Sequence, residues 1–359
     1  MWNLHLYLPM RTASVTKYKA YESRNCKQKK AGEIKMDKMV VSFAPHIREK
    51  DSVAGTMLDV IIALFPVLFG SIFFFGMRAF CLCAVTVASC VVSEFLWNKI
   101  TKKEQTVSDL SAVVTGMLLS FCLPATAPYY MAAVGGVFAI IVVKQFFGGI
   151  GQNFVNPALA ARAFLLASWP IALTTYTPPM TKLSLFSSNA DVITSATPLA
   201  FIKGIEGAQK ASYIDLLFGN VSGCMGEVSA LLILIGGAYL VLRKVIRPII
   251  PLTYIITVGV FGYLFDGGFM QGDFFYHILS GGVFLAGFFM ATDYVTSPTT
   301  AKGEFIYALF AGVITGVIRL YGGYPEGCTY AILIMNIVTP IIDKYVHPRV
   351  FGKGRRRAV

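Results

Sequence analysis

Met57-Leu58-Asp59-Val60-Ile61-Ile62-Ala63-Leu64-Phe65-Pro66-Val67-Leu68-Phe69-Gly70-Ser71-Ile72-Phe73-Phe74-Phe75-Gly76 carries a single charge, Asp59, near its start. A helix of about 20 apolar residues crosses the ~30 Å hydrocarbon core of a bilayer, so this stretch predicts a membrane span. Working outward, apolar runs recur near 79–97, 108–124, 126–144, 155–173, 228–243, 247–265, 275–292, 304–320 and 328–343. That makes about ten transmembrane helices and an all-α membrane protein. The composition agrees: of 359 residues, 55% are hydrophobic and 14% charged, with a mean hydropathy of +0.64. A soluble multidomain protein is excluded.

The net charge of +12 lies mainly at the chain ends and between apolar runs, with no interleaved aromatic platform. Nucleic acid is therefore not the expected partner; membrane lipid and the bias of Lys and Arg toward cytoplasmic loops explain the charge. The N-terminal region, Lys99 to Lys103, Lys144, Arg243 to Arg247 and the tail Lys353 to Arg357 all fall on one side of a ten-span topology. Both termini are thus expected in the cytoplasm. The intervening loops on the other side are poor in base, and the longest of them, 174–227, is expected to be extracytoplasmic.

Ten spans divide into two sets of five, and because five is odd the second set starts from the opposite side. This is the arithmetic of two inverted five-helix repeats. Echoes support it: the fourth span runs into Phe146-Phe147-Gly148-Gly149-Ile150-Gly151-Gln152-Asn153 and the ninth into Leu320-Tyr321-Gly322-Gly323-Tyr324-Pro325-Glu326-Gly327. The third breaks at Leu123-Pro124-Ala125-Thr126-Ala127-Pro128 and the eighth at Ala291-Thr292-Asp293-Tyr294-Val295-Thr296-Ser297-Pro298. Such breaks are either tight turns at the water boundary or unpaired backbone at membrane depth that protein, water or a ligand must satisfy. The expected organisation is a basic cytoplasmic region over 1–40, in which Met36-Asp37-Lys38-Met39 offers another start, a first repeat over 41–173, the loop 174–227, a second repeat over 228–345 and a basic tail over 346–359.

The loop carries Asp191-Val192-Ile193-Thr194-Ser195-Ala196-Thr197 followed by Pro198-Leu199-Ala200. Read from chemistry alone, it is a hydroxyl-rich turn that Pro198 terminates, or a hydroxyl that a modifying enzyme esterifies, with small neighbours admitting that enzyme. It resembles the acceptor sequence Asp-x-x-Ser/Thr-Gly-Ala-Thr, on which a dedicated transferase attaches FMN by a phosphoester to the last threonine. Similar family blocks are Val41-Ser42-Phe43-Ala44-Pro45-His46-Ile47-Arg48, the opening of the first span, Gly148 to Ala158, and Ala291 to Pro298. Over about residues 41–345 the chain resembles the D-type subunits of the Rnf complex, the ion-pumping ferredoxin:NAD oxidoreductase. More distantly it is similar to the B-type subunits of the sodium-pumping NADH:quinone reductase.

The resemblance implies covalent FMN on Thr197, with Asp191, Thr194, Ser195 and Ala196 completing the attachment motif. It also implies an electron relay coupled to Na+ or H+ export in a bacterial cytoplasmic (inner) membrane. Partners would be the other membrane and peripheral subunits, which handle ferredoxin and NAD, and the flavin transferase. The chain is then one component of a translocase rather than a catalyst alone, and the relatives make a second, noncovalent flavin such as riboflavin a further expectation. One departure stands out: Ser195 occupies the usual glycine position. The alternative functions are an inverted-repeat solute channel or carrier, which has no use for an acceptor motif, and a scaffold subunit without flavin.

A charge inside a span costs about 2.5–3.5 kcal/mol on insertion scales and needs a reason. Asp293, with hydroxyls Thr292, Thr296 and Ser297 around it, is the leading ion-path candidate, and Asp59 and Glu94 are weaker ones. Asp109, next to Ser108, reads as a helix cap, and Arg162 and Arg319 as structural ion pairs or snorkelling groups. Cys26, Cys81, Cys83, Cys90, Cys122, Cys224 and Cys328 contain no C-x-x-C pair and fall mostly in apolar runs, so packing is their expected role. His46, His277 and His347 lack a surrounding ligand set, and no metal centre is expected.

Overall fold

A computed structural model describes residues 52–181, 183, 185, 195–205, 209–227, 229–323 and 326–347. Asp191, Thr194, His46 and both basic terminal regions lie outside the described residues. Within them, regular structure is helical and no strand occurs. The principal helices are α1 (Val53–Phe75), α2 (Met77–Ile100), α3 (Ser111–Phe121), α4 (Tyr129–Val137, continued by a π-helical stretch Phe138–Gln145) and α5 (Pro157–Ser168). After the loop come α6 (Ala230–Leu242), α7 (Ile249–Phe265), α8 (Val283–Leu285, continued by a π-helical stretch Ala286–Met290), α9 (Ala301–Tyr321) and α10 (Cys328–Tyr345).

Three of these, α1, α2 and α9, are long and apolar enough to cross a membrane. The polarity of α1 is the reverse of a soluble helix. Leu58, Ile62, Phe65, Phe69 and Phe73 are exposed along one stripe, while Ala63, Leu64, Val67, Gly70 and Ser71 are buried on the other. An apolar outer face of this kind suits lipid. Ser52 starts the helix, its Oγ accepting from the Gly55 amide at 3.1 Å.

Several expected spans are shorter in the fold. The run 155–173 stops as α5 at Ser168, because Pro170 has no N–H to continue the ladder and Trp169 adopts φ −133°, ψ 63°. The run 275–292 is interrupted between Phe274–Leu279 and Val283–Leu285, where Gly281 takes a left-handed φ of 67°. Asp109 does not cap α3: it sits in a short turn, and Leu110 occupies the cap position at φ 60° with no side-chain bond to the helix.

The break after α3 is not a water-boundary turn. Leu123, Ala125 and Ala127 are buried, and the exposed backbone is met by protein. Arg78 Nε donates to the Ala125 carbonyl at 2.8 Å, and its Nη2 donates to those of Thr126 and Ala127 at 3.3 and 3.4 Å. The amides of Met225 and Gly226 donate to the Leu123 and Phe121 carbonyls at 3.0 and 2.9 Å. So the segment just before α6 folds back against the end of α3. Gly226 permits this approach, since a Cβ there would lie 2.3 Å from that of Phe121.

Helix pairings recur along the chain. The pairs α2–α3, α2–α4, α3–α5, α4–α5 and α1–α3 have counterparts in α7–α8, α7–α9, α8–α10, α9–α10 and α6–α8. The two sets meet through α1 against α6 and α5 against α10. At the first of these seams a Cβ on Gly236 would stand 2.1 Å from the Ala63 carbonyl oxygen. Gly236→Ala is expected to force α1 and α6 apart at a cost of about 1–3 kcal/mol, read as a lower melting temperature of the detergent-solubilised protein.

Candidate functional site

Ser195 and Ala196 form a ridge between two clefts, and Thr197 lines the first of them. The first, about 500 Å³, is lined by Thr174, Thr175, Tyr176, Thr197, Lys203 and Gly323 among others. The second, about 450 Å³, lies on the other side of Ser195 and Ala196, against Pro178, Gln209, Asn220 and Ser222. Thr197 precedes a short helix, Pro198–Ile202, in an extended conformation (φ −78°, ψ 159°), and its side chain makes no cap bond. The residue is half-buried at the cleft wall, and its hydroxyl is not spent on holding the helix.

The ridge is tied to both halves of the chain. The Ser195 amide donates to the Tyr176 carbonyl at 2.9 Å, and Thr126 Oγ1 donates to that of Thr175 at 2.8 Å. On the other side Tyr276 Oη donates to the Pro198 carbonyl at 3.3 Å and Lys203 Nζ to that of Gly322 at 2.7 Å. Pro198 and Leu199 are buried and anchor it from below. Partial burial draws the Lys203 ammonium below its ordinary value, and the side chain lines the cleft wall. Further along the loop, Lys210 Nζ reaches Asp273 at 2.8 Å, which holds that carboxyl below its usual value.

Beneath the Thr197 cleft is a buried charge cluster drawn from three parts of the chain. Arg162 of α5 pairs with Glu326, just before α10, and lies 3.5 Å from Glu227, just before α6. Cys224 Sγ is 3.6 Å from Arg162 Nη2. The thiol and the two carboxyls lie within 4.8 Å of one another. Arg162 is thus an ion-pair residue rather than a snorkelling one. Arg319 does not snorkel either: 1% exposed, it donates to the carbonyls of His277 and Ser280 at 2.6 and 3.2 Å, closing the break before α8.

The ion-path candidates are separated. Asp59 takes a two-pronged bond from Arg243 Nη2, 3.1 Å to each oxygen, and one from Tyr239 at 3.0 Å, a link between α1 and α6. Glu94 is buried, with Oε1 accepting from Lys144 at 2.9 Å, Thr106 at 2.7 Å and Gln145 at 3.2 Å. The π-helical turn carries Lys144 and Gln145 inward to it. Asp293 accepts from Thr296 Oγ1 at 3.2 Å and the Val295 amide at 3.4 Å, but Thr292 gives its hydroxyl to the Phe288 carbonyl instead.

Asp293 and Lys144 nonetheless share a cavity of about 110 Å³, along with Ser111, Asn153, Asn156 and Thr292. Its walls are otherwise mostly apolar. Asn156 fixes one end: its Oδ1 caps α5 through the amides of Ala158 and Leu159, and its Nδ2 donates to the Met290 carbonyl at 3.2 Å. The Asn-Pro start of α5 is thereby locked to the end of α8.

The sequence matches the NQR2, RnfD, RnfE family over residues 40–352, nearly the whole apolar part of the chain. The chain belongs to that family. Among curated relatives it is similar to the D-type component of the Na(+)-translocating ferredoxin:NAD(+) oxidoreductase complex of Acetobacterium woodii, 51% identical over 316 residues, 88% of this chain and 95% of that one. It is 43% identical over 333 residues to the D-type component of the proton-translocating ferredoxin:NAD(+) oxidoreductase complex of Clostridium ljungdahlii, covering 90% and 99% of the two chains. The D-type component of an ion-translocating oxidoreductase complex of Halorhodospira halophila is 36% identical over 338 residues, covering 87% and 95%.

For this member of the family, reading along the sequence missed the partners of its buried charges. Glu227 and Glu326 lie 65 and 164 residues from Arg162, and Lys144 lies 50 residues from Glu94. The available signal was Arg162 itself, a cation in an apolar run that requires a counter-charge.

Proposed function

We propose that the chain is a membrane subunit of an Rnf-type ion-translocating electron transport complex, relaying electrons through FMN bound by a phosphoester to Thr197. Ferredoxin-to-NAD electron transfer would thereby be coupled to export of Na+ or H+. The observation that carries the reading is Thr197 itself: the last residue of an acceptor-like motif, its hydroxyl unused by the helix it precedes, on the wall of a cleft about 500 Å³ in volume. Lys203, on the same wall, supplies a cation suited to a phosphodiester. The tether leaves the flavin ring unmodified; its role is retention at high local concentration.

The recurring helix pairings and the seams α1–α6 and α5–α10 support two five-helix repeats, and the arithmetic of five spans makes them inverted. With the Lys and Arg bias, this reading puts Thr197 outside the cytoplasm and both termini inside. Asp293, Glu94 and Asp59 remain the candidates for the ion path, with Asp293 favoured because it borders a cavity with hard oxygen groups around it. The relatives' names include both a Na+ and a proton pump, so either ion suits the family. A solute channel fits less well, because Arg78 and the Met225–Gly226 backbone close the break after α3.

The deciding experiment is in-gel ultraviolet fluorescence of the denatured chain, produced in a host that contains the flavin transferase, followed by mass analysis of the 174–227 peptides. A fluorescent band and an FMN adduct on the Thr197 peptide are expected. A dark band from such a host would leave the flavin-free scaffold as the better reading.

A further inference from the structure

Arg162, Glu227 and Glu326 meet between the two helix sets, and their formal charges leave one negative charge in excess. All three are under 9% exposed. Among the described residues no other cation forms an ion pair with either glutamate. Just after α3 comes the Cys122 thiol and from the start of α10 the Cys328 thiol; the loop contributes Cys224 and the Tyr176 phenol, all neutral in their ordinary state. Arg319 of α9 is a second buried cation whose field reaches Glu326, but its Nη groups bond the His277 and Ser280 carbonyls rather than a glutamate. Two carboxylates held this close, away from water, do not both stay ionised against a single paired guanidinium.

We infer that Glu227 and Glu326 share one exchangeable proton, making the trio with Arg162 a neutral proton-binding site. Binding takes one H+ from water onto a carboxylate oxygen, release returns it, and no electron or other bond is involved. Glu326 holds the guanidinium as a direct pair, and Glu227 lies 3.5 Å from the other arm, so the proton resides between the carboxyls rather than on Arg162. Gly282 leaves room beside Glu227, where a Cβ would stand 2.9 Å from its Oε1. Nearby, the buried Ser280 Oγ has no hydrogen-bond partner among the described residues.

A small cavity borders the site on the side of the open cleft. It measures about 20 Å³, is lined by Arg162, Glu326, Thr174, Tyr176 and Thr329 among others, and touches the cluster. One water fits, since a water needs about 10–15 Å³ on this measure. Thr174 and Tyr176 also line the open cleft at Thr197, so the small cavity and the cleft share a wall. A metal ion is a poorer occupant, because the Arg162 guanidinium already stands among the candidate ligands Cys224, Glu227 and Glu326. The inference holds whether or not Thr197 carries flavin.

Infrared difference spectroscopy of the purified complex between acidic and alkaline buffer tests it. The wild type is expected to show a carbonyl band of a protonated carboxyl, shifted in D2O, that is lost in both Glu227→Gln and Glu326→Gln. Loss in both follows because a single remaining carboxylate is neutralised by Arg162. A band that survives in either variant would mean that one glutamate is protonated by burial alone, and the shared-proton site would be wrong. A carboxylate shift driven by Na+ at fixed pH in the wild type, in place of a proton band, overturns it equally. Should the variants fail to assemble, carbodiimide labelling of the wild type decides: Glu227 or Glu326 is labelled with a yield that falls as pH rises, and no label on either at any pH refutes the site.

Discussion

Thr197→Val is expected to abolish the proposed flavin attachment completely and to leave the subunit folded. On the proposed reading the denatured band should lose its fluorescence and ferredoxin-dependent NAD reduction by the assembled complex should fall to background, while membrane insertion and melting temperature should stay at wild-type values. The separation of the two effects follows from local structure. Thr197 is extended, which a β-branched valine adopts readily, and its hydroxyl makes no cap bond, so the substitution costs within about 0.5 kcal/mol. Thr197→Ser keeps the nucleophilic oxygen and is expected to keep the label. A fluorescent Thr197→Val band would move the attachment to Ser195 or Thr194 and refute the assignment.

Arg162→Met is expected to have the largest effect on stability. It leaves Glu227 and Glu326 buried without their counter-charge, a loss of about 3–5 kcal/mol for a broken buried pair. The measurement is the yield and melting temperature of the detergent-solubilised protein. Arg162→Lys recovers only part, because one ammonium cannot present the two separate arms that reach Glu326 and Glu227. Adding Glu227→Gln and Glu326→Gln to Arg162→Met restores most of the loss if charge is the cause. A triple variant as unstable as Arg162→Met would assign the effect to packing.

The helical membrane character was legible residue by residue, because apolar runs report burial in lipid without reference to any partner. The attachment-like motif was legible too, being contiguous from Asp191 to Thr197. Span boundaries were less so: Trp169 before Pro170 is a readable stop, but the interruption at Gly281 depends on Arg319 reaching back to the His277 and Ser280 carbonyls. Asp109 shows the limit of local rules, since it follows a serine near a helix start and still does not cap it.

By itself the sequence determined that the chain is a helical membrane protein, where its polar loop lies, and which hydroxyls that loop offers. Hydropathy and short motifs are properties of neighbours along the chain, so one sequence suffices to read them. Only the tertiary structure decided that the break after α3 is buried and satisfied by Arg78 and the 225–226 backbone, that Thr197 lines an open cleft, and that Arg162 gathers Glu227 and Glu326 below it. The reason is that a charge or an unpaired carbonyl away from water must find a partner in space, and packing chooses that partner from anywhere along the chain.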